Sequence, residues 1–319
     1  MNNVILKYLR NKGYDTVSTD YYNFINIWEA WWKNQVEFHK YHDQTGKERK
    51  MFSLGIAKRL AEDWSSILFT ERDEIATEAK TKDQTEVNNK YLNKQLKILK
   101  VYKDLPVAIE KAMAMGTAGA VIRVKHAKVD KQGRLFADDR TKLDVIYLEA
   151  SQIVPLKVEH GVIIDAAFVS ENTVQDKKEY YVEIHQLKYN EGQKKEIYEI
   201  SNNYLDENGN EIEKEGIAKT YTINSNTPLF SILKPAIANP LEVQYNTNGM
   251  GFSIYGTAID QLIACDITYN NFVMDFYLGG KKVFYNKKIT RTKTRQIKDT
   301  EGNVKEEEYE VYPDDIMKQ

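Results

Sequence analysis

The spacing of apolar residues changes at about residue 116, and that change constrains the fold more than any other feature of the sequence. Up to about residue 116, apolar residues recur every three or four positions, which is the period of amphipathic helices. At GTAGAVIRVKHAKVD the period becomes two, and it stays so to about residue 224 between turn signals such as VEHGV and DENGN. Within this part, EYYVEIHQLKYNEGQKKEIYEISNNYLD predicts a hairpin that folds back at Gly192. The sequence therefore predicts helices followed by an antiparallel sheet, an α+β fold.

Helices are predicted in the first part over residues 2 to 12, 19 to 33, 53 to 69, 90 to 102 and 104 to 116. Ser53 and Asp104 stand where helix N-caps are expected, and Pro106 fits a first turn. The polar residues 70 to 89 are predicted to form a loop. VEFHKYH and ERKMFS predict a short strand pair with Gly46 in its turn.

The stretch FSIYGTAIDQLIACDITYNNFVMDFYL carries the longest helical pattern, with Ser253 as its N-cap and Gly279 and Gly280 at its end. Its apolar face contains Ile254, Ala258, Leu262, Cys265, Tyr269, Phe272 and Phe276. Cys265 is therefore predicted to be buried. A segment that turns at DTEGN predicts a C-terminal β-hairpin. The expected organisation is an α+β region over 1–250, a long helix over 251–280 and a hairpin over 281–319.

The composition excludes several classes of protein. A formal net charge of −2 argues against a protein whose whole surface coats DNA, because such proteins are strongly basic. One cysteine, Cys265, excludes an internal disulfide framework and a cysteine-based zinc site. No run reaches the ~20 apolar residues that span a bilayer, and the first residues do not form a secretory signal. No membrane association is predicted.

Catalytic and metal-binding readings have little support in the sequence. His39 and His42 form H-x-x-H, but on a predicted strand they point to opposite faces and cannot share a metal ion. GMGFSIYG lacks the preceding strand and the Lys-Ser/Thr of a phosphate-binding loop. The sequence therefore predicts a protein that is not an enzyme, with no catalytic residues, metal or cofactor. The four tryptophans, at helical spacing, are predicted to lie in the core or at a subunit contact.

Two segments have an unusual charge. Residues 279 to 298 contain eight basic residues and no acidic one: Lys281, Lys282, Lys287, Lys288, Arg291, Lys293, Arg295 and Lys298. They are candidates for a contact with a partner, although the acidic strand that follows could also neutralise them within the hairpin. Between Lys234 and Lys281 there is no Lys or Arg, whereas Asp260, Asp266 and Asp275 are present. These acids are consistent with an ordinary packed helix whose carboxylates are solvated. They are also consistent with a surface past which DNA moves without attractive contacts to its phosphates.

Five segments in this order resemble portal proteins of tailed bacteriophages, of the type found in long-tailed phages of Gram-positive bacteria. They are INIWEAWWKNQVEFHKYH, KERKMFSLGIAKRLAEDWSSILFTERDEI, AIEKAMAMGTAGAVIRV, LEASQIVPLKVEHGVIIDAAFVS and FSIYGTAIDQLIACDITYNNFVMDFYLGGKKVFY. They lie within residues 24 to 285 and together cover just under half of that range. Portal proteins have no catalytic signature, so the resemblance rests on these five segments and on the order in which they occur.

The resemblance implies a ring of usually twelve subunits at one capsid vertex, through which double-stranded DNA passes without sequence specificity. It implies contacts with the packaging terminase, the head–tail adaptor and capsid proteins, and assembly in the host cytoplasm before residence in the virion. Residues 1 to 250 resemble the wing of such a subunit, 253 to 279 the first stem helix and 281 to 319 the clip hairpin. The family's second stem helix, channel loop and crown have no counterpart in the sequence. The resemblance therefore predicts that the chain is truncated after the clip.

On this template Asp260, Asp266 and Asp275 are the candidates that face the DNA channel, and the eight basic residues of the clip are the candidates for partner contact. Two other classes stay open. One is another scaffold protein of a virion or mobile element, whose hairpin binds a partner chain. The other is a nucleic-acid-processing enzyme such as a nuclease or terminase component, which would require a metal-binding cluster of acids.

Overall fold

The architecture combines helices with antiparallel sheets, as the change of period predicts. The computed structural model describes residues 3–42, 46–70, 75–130, 133–136, 138–174, 176–190, 195–214, 217–223, 225, 227–279, 291–298 and 304–311. The chain divides into two units, Met1–Asp266 and Ile267–Gln319. This division falls inside the long helix rather than at the predicted boundaries near 250 and 280, because residues up to Asp266 belong to the core of the first unit.

The described α-helices are α1 (Asn3–Asn11), α2 (Thr19–Trp32), α3 (Ile56–Thr70), α4 (Lys82–Ile98), α5 (Val101–Met115) and α6 (Ile259–Gly279). The first three lie close to their predicted positions. The predicted loop over 70 to 89 is wrong in its second half, because α4 begins at Lys82. The Thr81 hydroxyl caps α4 by accepting a hydrogen bond from the Gln84 amide at 3.4 Å.

The predictions that Asp104 and Ser53 are helix N-caps are wrong. Helix α5 begins at Val101 after Lys100, which takes a left-handed backbone conformation, so Asp104 lies within the first turn. Pro106 follows inside the helix. Ser53 lies ahead of α3 and exchanges hydrogen bonds with the Asn34 side chain, which leaves no cap for α3 from that residue.

The described strands of the first unit form two main sheets and two small pairs. Their bounds are β1 (Lys40–His42), β2 (Glu48–Lys50), β3 (Ala118–Lys125), β4 (Lys128–Val129), β5 (Leu135–Phe136), β6 (Lys142–Glu149), β7 (Ile153–Glu159), β8 (Val162–Val174), β9 (Lys177–Asn190), β10 (Lys195–Leu205), β11 (Glu211–Ile212), β12 (Thr220–Ile223) and β13 (Phe230–Leu233). The larger sheet has the order β11-β10-β9-β8-β7 with β12 also paired to β10, and the smaller has the order β13-β3-β6. β1 pairs with β2 and β4 with β5.

Strand pairing follows the turn signals of the sequence. β9 and β10 pair antiparallel from Asn190 opposite Lys195 onward, which confirms the hairpin predicted around Gly192. The predicted strand pair near Gly46 is also confirmed, although each strand is only three residues long. His39 lies in a 3-10 turn, Glu37–His39, just before β1, and is buried, whereas His42 in β1 is exposed. The two imidazoles therefore do not share a site.

The main core lies where α1, α2 and α5 meet the larger sheet. Trp28 of α2 is buried there and meets Phe252 edge-on, with ring centroids 4.9 Å apart. The Tyr22 hydroxyl donates to the Ile153 carbonyl at 2.7 Å, which ties α2 to the first residue of β7. Trp28 and Trp31 are core residues as predicted, whereas Trp64 of α3 is half exposed.

The glycine-rich segment before α6 is a buried packing element. Gly251 lies so close to Gly116, the left-handed residue that ends α5, that a Cβ on either would overlap the other's carbonyl group. The Gly251 amide donates to the Thr117 hydroxyl at 3.0 Å, and the Ile254 amide donates to the Met113 carbonyl at 3.1 Å. GMGFSIYG thus needs its glycines for close backbone approach.

Helix α6 starts later than predicted. Ser253 is buried and its hydroxyl accepts from the Tyr255 amide, and a 3-10 turn, Gly256–Ala258, then leads into α6. The 21 residues of α6 give a rod of about 31 Å. No helix within the described ranges is long and apolar enough to cross a membrane.

Candidate partner-binding surfaces

One face of α6 is exposed along the whole helix. At 100° per residue, Gln261, Cys265, Thr268, Phe272 and Phe276 fall within about 80° of one another around the helix, and all are exposed. Phe272 and Phe276 are 57% and 69% exposed, with their rings edge-on and centroids 4.8 Å apart. The prediction that Cys265 is buried is wrong, because Leu262 rather than Cys265 occupies the core-facing side.

Asp266 is a structural residue and not a channel-facing one. It is only 3% exposed, and its Oδ1 accepts from the Leu54 amide while its Oδ2 accepts from Nε2 of His39, both at 2.9 Å. His39 is fully buried, with its ring edge-on to Trp31. One carboxylate thus fixes α6 to two points of the segment between α2 and α3, and this removes Asp266 from the candidates for DNA contact.

Asp260 and Asp275 remain exposed candidates. Both are exposed on α6, and neither forms an ion pair with the residues that the structure describes. Asp260 lies in the first turn of α6, where the positive end of the helix dipole favours a carboxylate. The two acids differ by about 60° around the helix. Both lie on the same side of the exposed face, with Asp275 next to it and Asp260 farther round the helix.

The basic segment is described only in part. Lys281, Lys282, Lys287 and Lys288 lie outside the described residues. Arg291, Lys293, Arg295 and Lys298 belong to β14 (Arg291–Lys298), which pairs antiparallel with β15 (Val304–Val311). The register places Arg295 opposite Glu307, while Thr292, Thr294 and Gln296 stand opposite the other glutamates. The remainder of the predicted 281–319 hairpin, including its turn, also lies outside the described residues.

Two other helices expose apolar residues in rows. Leu60, Trp64, Ile67 and Leu68 of α3 are between 38% and 50% exposed, while Ala57, Ala61 and Ser65 form the buried side. No residue of α4, whose whole length is described, is buried, and its exposed Val87, Tyr91 and Ile98 lie along one stripe. Apolar rows of this size on a folded chain are typical of protein-binding surfaces.

A buried polar network links the two main sheets. Glu183 of β9 accepts hydrogen bonds from Nε2 of His185 at 2.7 Å and from the Tyr181 hydroxyl at 2.9 Å, and it pairs with the Arg123 guanidinium of β3. Nδ1 of His185 meets the Tyr198 hydroxyl at 2.7 Å. Burial by itself raises the pKa of Glu183, but the hydrogen bond from His185 and the charge of Arg123 hold that pKa below its ordinary value.

The burial of this network indicates a structural role. Glu183, His185 and Tyr198 are each at most 2% exposed, so no substrate reaches them without opening the sheet. Within the described part of the chain, no group of His, Cys, Asp or Glu could hold a metal ion. No local sequence pattern reveals this network, because its members lie on three strands, β3, β9 and β10, and β3 belongs to the other sheet.

No protein-family model matches the chain, and no curated protein matches its sequence.

Proposed function

We propose that this chain is a subunit of a tailed-phage portal protein. In this role it forms a ring at one capsid vertex through which double-stranded DNA is packaged and ejected, and it docks the terminase and the head–tail adaptor. It assembles in the host cytoplasm, contacts capsid proteins and resides in the virion. The partner specificity lies in protein surfaces, and the DNA passes without sequence-specific contact.

The order of elements supports this proposal. In this proposal, helices α1 to α5 and the two antiparallel sheets form the wing, α6 is the first stem helix, and β14 with β15 is the clip, which follows their order along the chain. The five resembling segments contain most of α2, then α3, the second half of α5 with β3, then β7 and β8, and finally α6, whereas β14 and β15 lie beyond them. The exposed apolar rows of α3 and α6 favour a protein that functions as one copy among several.

The observation that carries the proposal is the charge of α6. The helix and its flanks, residues 235 to 280, contain no Lys or Arg, and two of its acids are exposed. A lysine in a DNA channel would contribute a phosphate contact of on the order of 1 kcal/mol in water. Because every subunit repeats that contact, a cation-free wall lets the duplex move where a basic wall would hold it.

Asp260→Lys tests the proposal in the protein expressed during infection. We expect the ring to assemble normally and the yield of DNA-filled heads to fall by about tenfold or more, since each copy adds a cation to the channel wall. Filled and empty heads are counted by electron microscopy, and packaged DNA is quantified after nuclease treatment.

Asp139→Lys is the matched control, because Asp139 is an exposed acid outside α6. It should leave packaging unchanged. Normal packaging with Asp260→Lys would show that α6 does not line a DNA path, and loss of rings in that variant alone would place Asp260 at a subunit contact instead.

A further inference from the structure

Positive charge is concentrated in the second part of α4 and the start of α5. Residues 87 to 103 contain five lysines and no Asp, Glu or Arg. All five lysines are exposed, and none forms an ion pair with the residues that the structure describes. They are Lys90, Lys94 and Lys97 of α4, Lys100 between the two helices and Lys103 in the first turn of α5. We call these five residues the lysine surface.

Three members of the lysine surface form one stripe along α4. At 100° per residue, Lys90, Lys94 and Lys97 fall within about 60° of one another and span about 10 Å along the helix axis. Like charges four residues apart destabilise a helix, and no acidic residue stands between these lysines to offset their repulsion. The acids of α4, Asp83 and Glu86, precede the stripe. The stripe is therefore suited to a partner with closely spaced negative charges.

The packing of α4 leaves this stripe open to a partner. The helix contacts α5, and no residue of α4, whose whole length is described, is buried. Its partly buried Leu92, Leu96 and Leu99 lie on the side of the helix opposite to the lysine stripe. The lysines therefore lie on the solvent side of α4.

The kind of cation favours a nucleic acid over a protein as the partner of this surface. Protein interfaces are enriched in Arg and depleted in Lys, whereas the lysine surface contains no Arg. The apolar stripe of α4 is centred about 70° farther round the helix and is a separate surface. Double-stranded DNA carries one negative charge per about 1.7 Å of its axis, so a stripe about 10 Å long faces several phosphates at once.

We propose that the lysine surface holds the phosphate backbone of double-stranded DNA. Contacts between lysine and phosphate carry no sequence information, so the binding is independent of sequence. This site goes beyond the proposed function, in which α6 offers DNA a wall without cations. The chain then has two surfaces of opposite character toward DNA, one past which a duplex moves and one that retains it.

Fluorescence anisotropy of a labelled duplex of about 20 base pairs, titrated with the purified full chain between about 50 and 200 mM salt, tests the site. Lys94→Gln with Lys97→Gln removes two phosphate contacts and should weaken binding at least about tenfold at the lowest salt. The slope of log affinity against log salt should also become shallower by about 2, since each lost contact removes about 0.9. Gln and Lys have similar helix propensities, so the circular dichroism spectrum should not change.

Lys7→Gln with Lys142→Gln is the matched control. Both lysines are exposed, lie outside α4 and α5 and form no ion pair with the described residues. This variant makes the same change in net charge and should alter the affinity for the duplex by less than about twofold. Lys293→Gln with Arg295→Gln makes that change in the basic segment, and duplex binding should persist in this variant as well.

Several results would overturn the inference. They are a duplex that the unmodified chain does not bind at the lowest salt, and duplex binding that Lys94→Gln with Lys97→Gln leaves unchanged. Loss of binding in the variant of the basic segment alone would assign the DNA contact to that segment. Labelled poly-glutamate that binds more tightly than the duplex, with the same dependence on Lys94 and Lys97, would assign an acidic protein to the lysine surface. A single strand that binds more tightly than the duplex would reject a duplex site.

The outcome is separable from that of the portal proposal, because one copy of the chain is sufficient for this binding. Duplex binding that depends on Lys94 and Lys97 in a chain that forms no rings would support the lysine surface and reject the portal proposal. Rings whose duplex binding does not depend on these two lysines would do the reverse.

Discussion

Asp266→Ala should destabilise the first unit by about 3–5 kcal/mol, the cost of removing one member of a buried pair. The substitution leaves Nε2 of His39 and the Leu54 amide without their acceptor in a site that water does not reach. Nδ1 of His39 already has no hydrogen-bond partner among the described residues, so the ring would lose its last one. Urea unfolding followed by circular dichroism measures the change.

Two variants test whether the loss of stability comes from the loss of the Asp266 carboxylate. Asp266→Asn retains an acceptor oxygen at nearly the same position and should cost less than Asp266→Ala. Asp260→Ala removes an exposed acid from the same helix, and surface substitutions of this kind usually change stability by less than about 0.5 kcal/mol. Equal unfolding midpoints for Asp266→Ala and Asp260→Ala would contradict the anchoring role.

Glu183→Ala should cost a similar amount, about 3–5 kcal/mol, because it leaves the Arg123 guanidinium and the buried His185 without their carboxylate. The effect depends on pH in a defined direction. The pKa of Glu183 is lower in the folded chain than in the unfolded one, so ionised Glu183 stabilises the fold above the unfolded pKa of about 4.3. That contribution is lost as pH falls through the folded pKa.

Glu183→Gln separates the charge from the hydrogen bonds. The amide cannot ionise, so this variant should lose less stability than the unmodified chain when the pH is lowered from 7 to 3. Unfolding midpoints in urea at several pH values provide the comparison. Parallel pH profiles for the two proteins would contradict the assigned role of the carboxylate.

The sequence predicted the elements that local patterns determine. The period change located the boundary between helices and strands, and the turn signal at Gly192 gave the β9–β10 hairpin. Helix termini were less predictable. Ser253 resembles an N-cap, but the close approach of Gly251 to Gly116 places residues 251 to 253 in the core, and α6 begins only at Ile259.

The sequence predicted the group of candidate residues, but it did not predict which of them are exposed. Charge composition singled out the acids of α6, yet their exposure depends on the rotation of the helix against the core. Leu262 and Asp266 share the buried side, so Asp266 pairs with His39, a residue that is 227 positions away in sequence. No local pattern predicts such a partner.

The central claim is that this chain functions as one of many copies arranged around DNA. Mass photometry of the purified chain at increasing concentration, with negative-stain images of the same samples, tests that claim most directly. The account predicts annular particles whose mass is near twelve times the 37.1 kDa of one subunit. A single 37.1 kDa species at every concentration and salt condition, with no annular particles in the images, would contradict it.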